Sequence, residues 1–408
     1  MPRATTAVPA SGTLSRSASI AWALAQTLLI FGFTTLPTPL YGDYARTFGF
    51  SGLVLTLIYA TYVAGTLTVL FLLGRLSDQI GRRPVALAAI AGTAIAAIIF
   101  LLAQGPTWLF AARLMTGLAA GLSSGTMVAW LKELHSRSEE KTASLRIVAL
   151  NVLGLGAGPL LCGLLAEYSG IPMTAPYLVY LLLLAVLAAG IARSEDTVQD
   201  KKALDRVRLG LRVGVPRNIR AAFMAPAIAN LVLYSMVGFY SALSPRLIAD
   251  RLHITNHAAS GALIAELFAL AAVTVYISAG LRSRAAMLWG FVLMLPALGL
   301  LVTAERTASL PALMAGTAFG GAALGTGYRG AIEVGNQIAP SDKRSELISM
   351  LFVCGNLGLS VPVIGVGILT AATSPDLADM VFAAVTALFS LAGLGFGLFA
   401  GGPKKSRI

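Results

Sequence analysis

The chain has 408 residues, of which 57% are hydrophobic and only 12% charged, and it contains 42 glycines. This composition excludes an ordinary soluble globular domain of the same length. The net charge of +12 does not require a nucleic-acid partner, because the basic residues are concentrated in alternate predicted loops of a membrane protein.

Twelve apolar stretches are each long enough to cross a bilayer as a helix, which takes about 18 residues or more. If the N-terminus lies inside, the cytoplasmic segments carry 24 lysines and arginines and the outer loops carry four. This bias predicts that both termini face the cytoplasm. The predicted spans are residues 18–41, 53–73, 84–103, 107–131, 145–168, 176–192, 219–242, 260–281, 285–303, 310–333, 347–371 and 378–400.

The two halves of the chain share an internal repeat. Gly32 and Phe33 recur 206 residues later as Gly238 and Phe239, and Pro39 recurs as Pro245. Repeats of this kind predict two related six-helix bundles around an axis along the membrane normal, with the substrate cavity between them. The predicted organisation is a cytoplasmic N-terminus (1–17), a first bundle (18–192), a cytoplasmic linker (193–218), a second bundle (219–400) and a cytoplasmic tail (401–408).

The loop between the second and third spans reads GRLSDQIGRRP and carries Gly74, Asp78, Gly81, Arg82 and Arg83. This pattern resembles the signature loop of the major facilitator superfamily of membrane transporters. The resemblance implies that Asp78 meets a neighbouring basic residue and the N-terminal end of helix 11, and so closes the cytoplasmic side when the cavity opens outward. The physical basis is sound, since an anion is favoured at the positive end of a helix.

Helix 5 contains LGLGAGPLLCG, with Gly154, Gly158, Pro159 and Gly163. The segment resembles the motif of proton-coupled exporters within the same superfamily, with Cys162 in place of the first of two final glycines. Small residues let another helix approach closely, and a proline invites a bend. A generic close-packed helix crossing is the alternative interpretation.

Three ionisable residues in or near the spans are candidates for proton coupling. Arg113 in helix 4 resembles the superfamily's helix 4 motif, and it either couples protonation to substrate binding or bonds structurally to helix 1 carbonyls. Glu266 in helix 8 is the preferred proton carrier, with a solvated acid in an outer vestibule as the alternative. Asp43, at the outer end of helix 1, is either a second proton site or a marker of the membrane surface.

Arg329 and Glu333 are spaced i, i+4 on helix 10, which predicts an ion pair toward the cytoplasmic end, with a structural or a gating role. The three histidines, His135, His253 and His257, fall in predicted loops and are interpreted as polar surface rather than as a metal site.

These patterns together predict an all-α membrane protein of the major facilitator fold, most like the twelve-helix drug or metabolite:proton antiporters. We expect a secondary active transporter that exports small amphipathic molecules by alternating access. A proton symporter that imports a sugar, an organic acid or another nutrient is the alternative. The sequence offers no nucleophile and base pair and no Walker motif, so neither an enzyme, a cofactor nor a metal is expected.

The expected partners are a small-molecule substrate, protons and the lipid bilayer, with no nucleic acid. We expect a monomer in a bacterial-type cell membrane. By resemblance to the family, helices 1, 4, 7 and 10 line the cavity, and the aromatic candidates for substrate contact are Phe33, Tyr234, Phe239, Tyr240 and Tyr328.

Overall fold

The computed structural model is almost entirely helical. It describes residues 14–74, 76–135, 140–198, 201, 214–340 and 343–399, with the side chains of 140–145 and 345 outside that description. Residues 1–13 of the predicted N-terminal segment, the whole predicted tail (401–408) and about half of the predicted linker (193–218) lie outside the described residues.

Eleven helices in the described ranges are long and apolar enough to cross a membrane. Another helix, Leu310–Ile338, is long enough at 29 residues. Its seven glycines keep its mean hydropathy below that of these eleven helices. With this helix the architecture has the twelve predicted spans. Helices 1 to 12 are Arg16–Phe48, Gly52–Leu72, Arg82–Leu101, Pro106–Leu134, Glu140–Tyr168, Ala175–Ala192, Arg217–Ala242, His257–Gly280, Ser283–Thr307, Leu310–Ile338, Arg344–Ala372 and Pro375–Phe399.

Helices 1 and 7 have the same outer continuation. Helix 1 passes through a tight turn at Thr38–Leu40 into a short helix, Tyr41–Phe48, and helix 7 is followed by the short helix Ser244–Leu252. The repeated prolines Pro39 and Pro245 lie at these two breaks, where the missing N–H costs least.

The helix pairings of the first half recur in the second. Helices 1 and 5, 2 and 4, 3 and 4, and 3 and 6 are in contact, as are helices 7 and 11, 8 and 10, 9 and 10, and 9 and 12. Glycine sets equivalent crossings: a Cβ atom at Gly158 would lie 2.6 Å from the carbonyl carbon of Gly32, and one at Gly358 would lie 2.8 Å from that of Leu231. No side chain fits at either crossing. The structure thus confirms two pseudo-symmetric six-helix bundles.

The two halves meet through helix 5 against helix 8 and helix 2 against helix 11. We call the two ends of the bundle outer and inner, following the predicted orientation. At the outer end, a Cβ atom on Gly367 of helix 11 would lie 3.1 Å from the Cβ of Thr56 in helix 2. The halves are therefore in close contact at the outer end of this conformation.

Candidate functional site

Gly81 of the signature loop lies immediately before helix 3, which begins at Arg82. Gly81 has a φ of 111°, a left-handed value that favours glycine. A Cβ atom there would also lie 2.6 Å from a carboxylate oxygen of Asp196. The same carboxylate accepts a hydrogen bond from the backbone N–H of Arg82 at 3.0 Å and pairs with Lys201 at 2.6 Å. Position 81 therefore requires glycine for two reasons, the left-handed backbone conformation and the close approach of the Asp196 side chain.

Arg82 is the buried centre of the loop. Its guanidinium pairs with Asp78 and donates to the Ser77 hydroxyl at 2.8 Å. It also donates two hydrogen bonds, of 2.6 and 3.2 Å, to the carboxylate of Glu133 at the inner end of helix 4. Arg83, in contrast, is partly exposed and donates to the Ala192 carbonyl at 3.3 Å. The partner of Asp78 in the described part of the chain thus lies in its own half, and its contact with helix 11 stays a prediction for the outward-open state.

The glycines of helix 5 pack in two directions. A Cβ atom at Gly154 would lie 2.5 Å from the carbonyl oxygen of Leu28 in helix 1, the same helix that Gly158 meets. A Cβ atom at Gly163 would instead lie 3.0 Å from the carbonyl carbon of His257 in helix 8. Pro159 contacts helix 8 too, because its carbonyl carbon lies 3.0 Å from the position a Cβ on Gly261 would occupy. The motif therefore contacts both its own half and the other half.

Arg113 in helix 4 is fully buried and bonds to the backbone. Its guanidinium donates to the carbonyl of Thr34 in helix 1 at 2.6 Å and to that of Tyr59 in helix 2 at 3.4 Å. It also lies 5.1 Å from the ring centroids of Tyr59 and Tyr62, within cation–π range. No carboxylate contacts it among the described side chains. These contacts agree with the structural alternative for Arg113 and leave a coupling role untested.

Arg329 and Glu333 form the expected pair on helix 10, with Arg329 donating to both carboxylate oxygens at 2.9 Å. Arg329 is buried and also bonds to Ser278, through its hydroxyl at 3.0 Å and its carbonyl, at the end of helix 8. Glu333 in turn accepts a bond of 2.8 Å from the Ser283 hydroxyl at the start of helix 9. The pair thus joins three helices within the second half, whereas in the first half Arg82, at the start of helix 3, joins the end of helix 4 to the loop after helix 2.

At the outer end, His257 begins helix 8 and touches two carboxylates of the first half. Its Nε2 lies 2.7 Å from Asp43, and its Nδ1 lies 3.1 Å from Glu167 at the end of helix 5. Asp43 also pairs with Arg46. The sequence-based interpretation of His257 as loop surface is wrong, because helix 8 begins three residues earlier than predicted and carries His257 into the contact between the halves.

A family model described as Major Facilitator Superfamily matches residues 22–285. The chain belongs to this superfamily. It is therefore a multi-pass membrane protein of a transporter family and not an enzyme. A curated relative, the major facilitator-type transporter psiT2 of Psilocybe cyanescens, is 31% identical over 109 residues, which cover 27% of this chain and 20% of psiT2. The match thus spans only a fifth of that relative's length.

Two solved structures share the major facilitator fold of this chain. Both are crystal structures of a bacterial homolog of the human lysosomal transporter Spinster in an inward-facing conformation. The unoccupied form gives a TM-score of 0.71 at 14% identity, covering 95% of this chain and 99% of that one. The occupied form gives a TM-score of 0.73 at 14% identity, and the match covers 94% of this chain and 96% of that one. At this identity the likeness establishes the fold alone.

The aromatic candidates for a major facilitator cavity separate into two groups. Phe33, Phe239 and Tyr240 are fully buried inside their own halves, where Phe239 stacks on Phe382 with a centroid distance of 4.7 Å. Their burial corrects the prediction that they line a cavity in this conformation. Tyr234 and Tyr328 are partly buried and pair at a centroid distance of 5.9 Å, so their contact with a substrate stays a prediction.

Glu266 lies in the middle part of helix 8 and is partly buried. No ion pair to it occurs within the described residues, in contrast to Asp43, Asp78 and Glu333. The structure thus leaves Glu266 as a membrane carboxyl without a described cation. Its role as a proton carrier stays a prediction.

Sequence reasoning missed two buried acids at the outer end of the second half. Glu305 of helix 9 is 7% exposed and Asp379 of helix 12 is 2% exposed. Arg246, in the short outer helix after helix 7, pairs with Asp379 at 3.1 Å. Both acids fall at the edges of predicted spans, where an acid is ordinarily solvated, so only the three-dimensional packing identifies them.

Proposed function

We propose that this chain is a proton-coupled secondary transporter that exports small amphipathic molecules by alternating access. The observation that supports this proposal best is the packing of helix 5. Gly158 meets helix 1 of its own half, while Gly163 and Pro159 meet helix 8 of the other half, all through backbone atoms. A contact made of backbone and small residues has few interlocking side chains to break, which suits two bundles that rock against each other.

Glu266 is the proposed proton carrier. It lies on helix 8, one of the helices that form the contact between the halves, and no described cation pairs with it. A carboxyl in such a place gains and loses a proton without breaking an ion pair. An intramembrane acid of this kind is by default a functional-site hypothesis.

The proposed substrate site lies near Tyr234 and Tyr328. The Tyr62 side chain of the first half lies close enough to Tyr234 to interact with it electrostatically, so both halves contribute a tyrosine near this region. Tyrosine combines an apolar ring with a polar hydroxyl, and this combination favours amphipathic molecules.

The first test is a tolerance screen in an efflux-deficient host. Expression is expected to raise tolerance to at least one amphipathic compound, and Glu266→Gln is expected to abolish the gain because an amide cannot carry the proton. Glu266→Asp keeps a carboxyl and is expected to retain part of the activity. Asp250→Asn, which removes an exposed carboxylate from the short outer helix, is the matched control.

The second test uses proteoliposomes with an imposed pH gradient and a compound identified in the screen. Export predicts that the compound moves against the proton flow. Movement of compound and protons in the same direction would instead establish the symporter alternative. Full proton-dependent transport by Glu266→Gln would show that another group carries the proton.

A further inference from the structure

The outer cluster of Asp43, Glu167 and His257 requires a definite number of protons. Both ring nitrogens of His257 face carboxylate oxygens, at 2.7 Å for Asp43 and 3.1 Å for Glu167. An ionised carboxylate only accepts hydrogen bonds, whereas a neutral imidazole has one donor and one acceptor nitrogen. Both contacts are hydrogen bonds only if the cluster holds one proton more than a neutral histidine beside two carboxylates.

The cluster also joins the two halves. Asp43 and Glu167 belong to the first half, on the continuation of helix 1 and at the end of helix 5, and His257 begins helix 8 of the second half. The backbone N–H of His257 donates to Glu167 as well, at 2.9 Å. A rocking motion that opens the outer end must separate His257 from both carboxylates.

We propose that Asp43, Glu167 and His257 form a proton-binding latch, in which a proton taken from the outer solution holds the outer end closed. The proposal rests on the alternating access of the proposed function, but neither on a substrate nor on Glu266. Above the ordinary imidazole pKa of about 6.5, the separated histidine is neutral and the closed latch holds one more proton than the separated groups, so alkali favours opening. Below that pKa the separated histidine is protonated too, and the closed end keeps its full stabilisation.

The surroundings of the latch allow this exchange. Its side chains are 15–27% exposed, so water reaches them while the outer end is closed. Arg46 pairs with the other oxygen of Asp43 and stays with it in the same half when the latch opens. The buried Cys162 thiol of helix 5 also lies within electrostatic range of Asp43. The charged groups Arg246 and Arg251 of the short outer helix are instead paired with carboxylates of helix 12.

The test measures the distance between the halves at the outer end as a function of pH. Spin labels are attached at Gly52→Cys in helix 2 and Thr373→Cys after helix 11, two exposed positions on opposite halves. Among the described residues, no atom beyond the chain neighbours and the helix's own backbone lies within 4 Å of a Cβ at Gly52, so the label fits. The native thiols are removed as Cys162→Ala and Cys354→Ala. No substrate is needed.

The long-distance population is expected to stay constant below about pH 6.5 and to rise above it, by at most about tenfold per pH unit, the limit for one linked proton. His257→Gln is expected to flatten this response and raise the open population. Glu167→Gln, which keeps the histidine, is expected to weaken the response. The control His253→Asn places asparagine in a left-handed position that asparagine tolerates, outside the latch, and is expected to respond as the parent does.

A pH-independent parent distance, or a full response in His257→Gln, would overturn the latch. A melting curve shows whether each variant is folded, and if His257→Gln does not fold, the response of Glu167→Gln decides. Glu266→Gln is expected to keep the pH response, so a loss there would assign the response to Glu266 and refute the latch. Failure of the proposed export with a preserved pH response would refute the function and leave the latch standing.

Discussion

Substituting Gly163 with alanine probes the contact between the halves at a single methyl group. The new Cβ would meet the carbonyl oxygen of His257 first, and it would lie 3.0 Å from the carbonyl carbon of His257 and 3.1 Å from the Cα of Ala258. Ordinary van der Waals contact begins at 3.4 Å, so helices 5 and 8 must separate by about 1 Å to relieve the contact with the oxygen. All three obstructing atoms are backbone and cannot rotate away. Overpacking of this kind costs about 1–3 kcal/mol.

The cost of Gly163→Ala falls on the closed outer end, because the clash exists only while the halves touch. A cost of 1–3 kcal/mol corresponds to a shift of about 5- to 150-fold in favour of the open outer end. Distance measurements between labels at positions 52 and 373, at constant pH, report this shift directly.

Two glycine variants control for general effects. Gly125→Ala in helix 4 adds a methyl group that meets no described atom of another helix within 4 Å, so it is expected to leave the label distances unchanged. Gly158→Ala clashes with helix 1 inside the first half and is expected to lower the melting temperature without favouring the open state. A folded Gly163→Ala protein with parent-like distances would refute the assignment of helices 5 and 8 as the closing contact.

Two further predictions concern Arg113 and Asp78. Arg113→Lys is expected to lower the stability measured in detergent by about 1.5–3 kcal/mol, which is the value of one hydrogen bond to a charged group. The reason is that an ammonium group cannot reach the carbonyls of helices 1 and 2 at the same time. An unchanged melting curve would contradict this prediction. Asp78→Asn is expected to reduce the population with an open outer end about two- to fivefold. The amide is not attracted to the N-terminus of helix 11, and this attraction is worth about 0.3–1 kcal/mol for a carboxylate. Equal label distances in the variant and the parent would exclude the contact with helix 11.

The fold was predictable because a membrane limits the backbone conformations that a chain can adopt. Backbone N–H and C=O groups in lipid must form hydrogen bonds within their own segment, so long apolar stretches predict helices. Even helix 10, whose glycines keep its hydropathy low, is predicted from its own apolar stretch, residues 310–333. The glycines themselves were informative, because Gly154 and Gly158 lie at backbone crossings as small residues in membrane helices commonly do.

The polar contacts were less predictable because their partners are distant in sequence. The bond between Asp43 and His257 joins residues 214 positions apart, and that between Arg82 and Glu133 joins residues 51 apart. Neither spacing has a periodicity to detect. An error of three residues in the start of helix 8 was enough to turn His257 from a contact between the halves into apparent loop surface.

The outer and inner ends of the molecule differ in how the motion of the two halves changes the pairing of their charged groups. At the outer end, opening deprives His257 of both carboxylates, so the proton count changes with conformation. At the inner end, Arg82 holds two carboxylates of its own half, and Asp78 is half exposed. If Asp78 meets helix 11 while it stays beside Arg82, Arg82 keeps both carboxylates of its own half and no buried charge is left unpaired, which avoids the large cost of isolating one. The inner contact can therefore form or break without a change in the number of bound protons, while the outer contact depends on protons.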